Sequence, residues 1–126
     1  MLKEYSVPAI VQPPSSGSLA DHIIENAAKY PDREVISLNR GGVWVGMTAQ
    51  AFLDEVKAVA KGIIASGVRP GERVGIMSRT RYEWTLVDYA LWYAGAVGVP
   101  IYESSSAEQV QWILSDSNAV GVFLES

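Results

Sequence analysis

The chain has 126 residues, of which 48% are hydrophobic and 19% charged, with a formal net charge of -4 and no cysteine. That balance suits one globular domain with a real core and excludes a disordered or coiled-coil chain. Ten scattered Lys and Arg residues argue against a nucleic-acid partner, and the lack of cysteine removes disulfides, thiolate nucleophiles and thiolate metal sites.

The opening Met1-Leu-Lys-Glu-Tyr5 lacks an apolar signal core, and no run approaches the roughly 18 apolar residues of a membrane span. A cytoplasmic protein is expected. Residues 1–17 read as an extended N-terminal arm, since Val7 to Gly17 holds three prolines and closes on Pro13-Pro14-Ser15-Ser16-Gly17. Ser18 then starts a helix, with Asp21 at capping-box spacing and Ile23, Ile24, Ala27 and Ala28 as its apolar stripe, stopped by Pro31-Asp32.

Glu34 to Asn39 and Val43 to Met47 are β-type runs around Arg40-Gly41-Gly42, which predicts a hairpin. Thr48 is a fitting N-cap for a helix over Ala49 to Ser66. Its apolar face is Phe52, Val56, Ala60, Ile63 and Ile64, and Gly67 is its left-handed stop. Arg69-Pro70-Gly71-Glu72 is a turn.

The second half sets the fold. Arg73-Val-Gly-Ile-Met-Ser78, Ala96-Val-Gly-Val-Pro-Ile101 and Ala119-Val-Gly-Val-Phe-Leu124 are apolar without alternation, as strands are when both faces of their sheet are covered. The segments between them, Arg81 to Ala94 and Ser106 to Asp116, are long enough for crossover helices, which makes a βαβαβ unit. The fold class is therefore α/β: half of a doubly wound, mainly parallel sheet, preceded by a helix, a hairpin and a helix. Thr80 with Glu83, and Ser105 with Glu108, have capping-box spacing for the two crossover helices, the second of which turns Val110, Ile113 and Leu114 inward. The first is apolar on nearly all sides, with Trp84, Val87, Leu91 and Ala94 on one face and Tyr82, Leu86, Tyr89 and Tyr93 on another. Cover from more than the sheet is expected. If the sheet grows in chain order, the last strand is an apolar edge, which invites pairing.

Each candidate site has a plainer structural explanation. Gly95 and Gly98, and Gly71 and Gly75, do not follow a strand and open a helix as a dinucleotide fingerprint must, so they read as cap, turn and strand glycines. Ser104-Ser105-Ser106 follows the second parallel strand, where ligands bind in open α/β sheets, yet capping alone accounts for it. Arg79 and Arg81 occupy the matching place after the first strand and could meet a phosphate or carboxylate; pairing with neighbours such as Glu83 is the commoner outcome. His22, the one histidine, has no nucleophile partner nearby in sequence. Trp84, Tyr89, Trp92, Tyr93 and Trp112 lie at helical spacing, which reads as core or interface before ligand platform.

Four stretches carry a family likeness: Gly46-Met-Thr-Ala-Gln-Ala-Phe-Leu-Asp-Glu-Val56, Val68-Arg-Pro-Gly-Glu-Arg-Val-Gly-Ile-Met-Ser78, Tyr82-Glu-Trp84, and Trp92-Tyr-Ala-Gly-Ala-Val-Gly-Val-Pro-Ile-Tyr-Glu-Ser-Ser-Ser-Ala-Glu-Gln-Val110. In this order they resemble the N-terminal part of adenylate-forming enzymes, and among those long-chain fatty acyl-CoA synthetases of bacterial type. The resemblance implies that residues 18–126 are the N-terminal portion of a large AMP-binding domain, cut short. It implies a parent enzyme that uses ATP, Mg2+ and coenzyme A on a fatty acid, is cytoplasmic, and can sit peripherally on a membrane. The family's phosphate loop, adenine segment, ribose aspartate and C-terminal lysine come later than the matched region. No catalytic, cofactor-binding or metal residue is therefore expected here, and the piece alone should be inactive, with the remaining polypeptide as its partner. Its uncovered apolar surface predicts self-association. Two rival expectations are a free-standing protein-interaction module and a small flavodoxin-like binder with its site near Ser104 to Ser106.

Overall fold

The computed structural model describes residues 4–12 and 15–125; Met1, Leu2, Lys3, Ser126 and the Pro13-Pro14 pair of the expected arm lie outside the described residues. From Glu4 to Gln12 the chain has no helix or strand, and Tyr5, Val7, Ile10 and Val11 are exposed.

Helix α1 (Leu19–Lys29) opens on Ser18, whose capping box with Asp21 forms as the spacing predicts: the Ser18 amide donates to Asp21 Oδ2 at 2.7 Å. Its buried stripe is Ala20, Ile23 and Ala27, whereas Ile24 and Ala28 face outward. The expected stripe was one position too far round, because a helix of this length buries only one narrow face. Strands β1 (Glu34–Arg40) and β2 (Val43–Thr48) pair antiparallel. Gly41 and Gly42 turn the chain with φ of 62° and 89°, both positive as a type I′ hairpin requires. The Gly42 amide donates to Asn39 Oδ1 at 2.9 Å.

Helix α2 (Ala49–Ala65) is capped by Thr48, which accepts from the Ala51 amide at 3.2 Å, and ends at Gly67 with φ of 94°. Phe52, Leu53, Val56, Ala60 and Ile63 are buried, but Ile64 is exposed, so the apolar face turns through Leu53 instead. The Arg69–Glu72 turn forms, with the Glu72 amide donating to the Arg69 carbonyl at 3.1 Å.

Three parallel strands follow: β3 (Arg73–Met77), β4 (Val97–Ile101) and β5 (Gly121–Leu124), linked by α3 (Tyr82–Tyr93) and α4 (Ala107–Ser117). Their order is β4-β3-β5. The newest strand is an edge, as expected, but it pairs with the first strand and not with the second. Alternation along β3 divides the two faces. Val74 and Ile76 belong to the core that α1, α2 and α3 cover, while a side chain at Gly75 would stand 3.2 Å from Leu114 Cδ2 of α4 and 2.9 Å from Val122 Cγ2. Gly75 thus lets α4 and β5 approach.

Helix α3 is the centre of the molecule. It packs on α2, α1 and both β3 and β4, so its all-round apolar surface is covered on several sides as the sequence predicts. Phe52 meets Tyr89 edge-on at 5.5 Å between ring centres, and Tyr89 meets Trp92 at 5.0 Å, offset geometries that suit the ring quadrupole. Trp112, by contrast, is exposed on α4.

Neither crossover helix is capped where the spacing placed it. α3 has Arg81 at its N-cap with no side-chain cap, because the Glu83 carboxylate that would complete a box with Thr80 is held by Arg81 instead. α4 is capped by Ser106 with Gln109, not by Ser105 with Glu108: the Ser105 amide is already spent on the Tyr102 carbonyl, at 3.0 Å.

Candidate site at the carboxyl edge of the parallel sheet

The strand order creates one special place. The chain leaves β3 to one side for β4, then returns past β3 to lay β5 on its other side, so the crevice beyond the carboxyl ends of β3 and β5 is a topological switch point, where open α/β sheets take ligands. Met77 and Leu124 are in register, which brings the Ser78-Arg79-Thr80-Arg81 loop against Glu125.

Glu125 is the hub there. Its carboxylate accepts from the Arg79 amide (2.9 Å), Arg79 Nη2 (2.8 Å), Ser78 Oγ (3.1 Å) and Arg81 Nη1 (3.1 Å). Its side chain is 14% exposed against 73% for Arg79, so the loop closes over it. Hydrogen bonds from Arg79 hold the Glu125 carboxyl down to about 2, the behaviour of an anion that receives several N–H donors. Arg81 also grips Glu83, with Nε to Oε2 at 2.6 Å and Nη2 to Oε1 at 3.0 Å, and this pairing lowers the Glu83 pKa. Beneath the cluster lies a cavity of about 240 Å³ lined by Ile76, Trp84, Val87, Phe123 and Leu124.

The sequence brings Arg79 and Arg81 together correctly, and pairing with Glu83 is what Arg81 does. It gave no hint of Glu125, which lies 46 positions from Arg79; only the parallel register of β3 with β5 reveals that contact. Both guanidinium groups are occupied by carboxylates, so neither is poised for a phosphate.

The serine loop after β4 borders a separate open hollow of about 760 Å³ with Tyr102, Glu108, Gln109, Trp112 and Ile113. Ser106 caps α4 and Gln109 closes back on the Ser106 amide, at 2.9 Å, so the helix start is satisfied by the chain itself. His22 is exposed on α1, away from its buried stripe. Gly71 and Gly95 are turn and cap glycines with φ of 83° and 77°, joined by a Gly71 amide to Gly95 carbonyl bond of 2.8 Å. Gly98 admits the Asp88 carboxylate of α3, whose Oδ1 lies 2.9 Å from where a side chain would begin, and burial raises the Asp88 pKa. Among the described residues no three His, Cys, Asp or Glu side chains gather as a metal requires. No helix among them is long and apolar enough to cross a membrane.

Comparison with known proteins agrees with the fold. Residues 23–126 match the family model described as AMP-binding enzyme. The long-chain-fatty-acid–CoA ligase FadD15 of Mycobacterium tuberculosis is 42% identical over 125 residues, which is 99% of this chain and 21% of that ligase. The peroxisomal long chain acyl-CoA synthetase 7 of Arabidopsis thaliana is 30% identical over 87% of this chain and 16% of its own length. The chain therefore spans about a fifth, or less, of the length of these relatives. Among solved structures, a putative long-chain fatty acid CoA ligase from Rhodopseudomonas palustris superposes with a TM-score of 0.77 at 28% identity, covering 87% of this chain and 27% of that one. The fatty acyl-adenylate ligase of Legionella pneumophila, solved with acyl adenylate and pyrophosphate, gives 0.76 at 26% identity, covering 86% and 20%.

Proposed function

From the premise that the chain belongs to the AMP-binding enzyme family, we propose that it is a scaffold portion of an ATP-dependent long-chain fatty acid–CoA ligase. The carrying observation is the 42% identity to the mycobacterial ligase across 99% of this chain. In the proposed reaction the fatty acid carboxylate attacks the α-phosphate of ATP, with Mg2+ assisting, and pyrophosphate leaves; the coenzyme A thiol then displaces AMP to give acyl-CoA. The reacting groups come from polypeptide other than these residues. Residues 18–126 form the N-terminal portion of the large domain, and residues 1–17 are its N-terminal arm. The enzyme is cytoplasmic and can rest peripherally on a membrane.

What the chain's own residues contribute is placement. The α2–α3 core fixes β3, and the Glu125 cluster fixes β5 beside it, so the carboxyl edge of the sheet is rigid at its switch point. That the arginines there are neutralised within the chain favours a structural role over a phosphate-binding one.

A chimera tests this directly. The corresponding residues of the M. tuberculosis ligase are replaced by this chain, and acyl-CoA formation from palmitate is measured. Activity within about tenfold of the parent, or ~1.4 kcal/mol in barrier, is expected. A folded chimera with no activity would overturn the ligase reading. ATP–pyrophosphate exchange catalysed by the 126-residue chain alone would overturn the scaffold role.

A further inference from the structure

We propose that Met47 is a site of oxidation by peroxide, and that its sulfoxide takes the Tyr82 hydroxyl hydrogen from Glu55, moving the head of α3 from a tie to α2 to a tie to the hairpin. Three elements meet at the Tyr82 phenol. Its oxygen lies 2.6 Å from Glu55 Oε2 on α2 and 3.3 Å from Met47 Sδ on β2. A phenol has a single hydrogen and cannot donate to both. The carboxylate is closer and charged, so it holds that hydrogen, and the thioether touches the oxygen without a hydrogen bond of its own. Burial, and after it the bond to Glu55, pushes the Tyr82 pKa up, so the phenol keeps its proton.

The sulfur is open to this chemistry. The chain has no cysteine and three methionines, so thioethers are the sulfur that an oxidant meets. Met47 is half-buried, within reach of a small peroxide. A lone pair on Sδ attacks one oxygen of hydrogen peroxide and the O–O bond breaks. The sulfur keeps that oxygen, whose proton passes to the departing hydroxide, and water leaves; the thioether is oxidised by two electrons and the peroxide reduced by two.

The product changes which acceptor wins. Oxidation makes an apolar side chain polar, and Met47 packs against the core, where an acceptor without a donor is costly. The phenol is the donor at hand, since Sδ already lies against it and the methionine side chain is flexible enough to turn its new oxygen toward the hydroxyl. Glu55 is exposed and takes water in exchange, so the transfer leaves no group unpaired. The backbone has room to adjust, because Met47 pairs with Ile36 beside the β-bulge of the hairpin. Tyr82 is the first residue of α3 and follows Arg81, which holds Glu83 and Glu125, so the modification acts at the base of the loop at the switch point. The site lies wholly within the hairpin, α2 and α3 and stands whether or not the ligase reading does.

The test is NMR on the 126-residue chain carrying a carbon-13 label at tyrosine Cζ, before and after hydrogen peroxide, with peptide mass spectrometry to locate the added oxygen. Tyr82→Phe assigns the resonance. In the reduced chain Glu55→Ala is expected to shift the Tyr82 signal; once Met47 is oxidised that shift is lost, while amide protection in α2 and α3 persists. Met47→Leu should keep its response to Glu55→Ala in peroxide, and Met77→Leu should lose it as the parent does. A Met47 left intact at peroxide levels that oxidise Met77 would overturn the proposal. So would a Glu55 response that survives oxidation of Met47, the same loss of response in Met47→Leu, or an oxidised chain whose α2 and α3 amides have lost all protection.

Discussion

The two faces of the parallel sheet are covered by helices of the same chain, yet they end in different states. On one face α2 and α3 leave Val56, Ala90 and Leu91 with no exposed surface at all. On the other, α4 has no buried residue, and all four residues of β5 are exposed. Both sides have regular helices and strands in register, and α3, on the closed side, is the helix without a side-chain cap. Secondary structure is thus set locally, whereas burial depends on how many elements converge: α3 has α1, α2, β3 and β4 around it, and α4 has little beyond the sheet. The closed side supplies the stability, and the open side is held on by a few specific contacts.

The sharpest way to break that contrast is to cut the closed side. Leu91→Ala should cost about 2–5 kcal/mol, because the site is enclosed and cannot collapse around the gap. Chemical denaturation should show the loss globally, in every element. A loss confined to α4 and β5 would mean that the division of labour is wrong.

A smaller effect is expected on the open side. Ser106→Ala removes the α4 cap and should cost about 1 kcal/mol, read by hydrogen exchange as faster opening of residues 107–124 with α2 and α3 unchanged. Ser105→Ala should do almost nothing, which tests the cap position at the same time.

The mildest test uses pH. The Glu125 carboxyl is held at about 2 in the folded chain, below the roughly 4.3 of a free glutamate. A depressed carboxyl adds stability that is complete above the unfolded value and is lost as pH falls toward the folded one. Protection of β5 amides should therefore fade between about pH 4.3 and about 2. The Glu125→Gln variant, less protected at neutral pH, should not share that fading.

Much of this organisation could be read before any coordinates. The three parallel strands declared themselves by unbroken β-branched runs, the hairpin by its paired glycines, and the crowding of α3 by apolar residues on every side. What escaped has identifiable causes. Ser105 with Glu108 and Ser106 with Gln109 present the same capping signal one residue apart, and only the turn bond from the Ser105 amide to Tyr102 decides between them. Thr80 lost its box because Arg81 competes for Glu83. Ile24 and Ile64 sit at the margins of their helical stripes, where spacing alone cannot say which way a side chain falls. Glu125 was invisible as a hub because its partners are brought to it by strand order, a property of the whole sheet and not of any local window.

The β4-β3-β5 order also bears on how the polypeptide emerges from the ribosome. The hairpin, α2, β3, α3 and β4 can assemble as soon as residue 101 has left the exit tunnel, but one flank of β3 stays bare until some twenty further residues have been made. For that interval the nascent protein displays the inner strand of its own sheet, a site for chaperone capture or for mispairing with a neighbour on the same messenger.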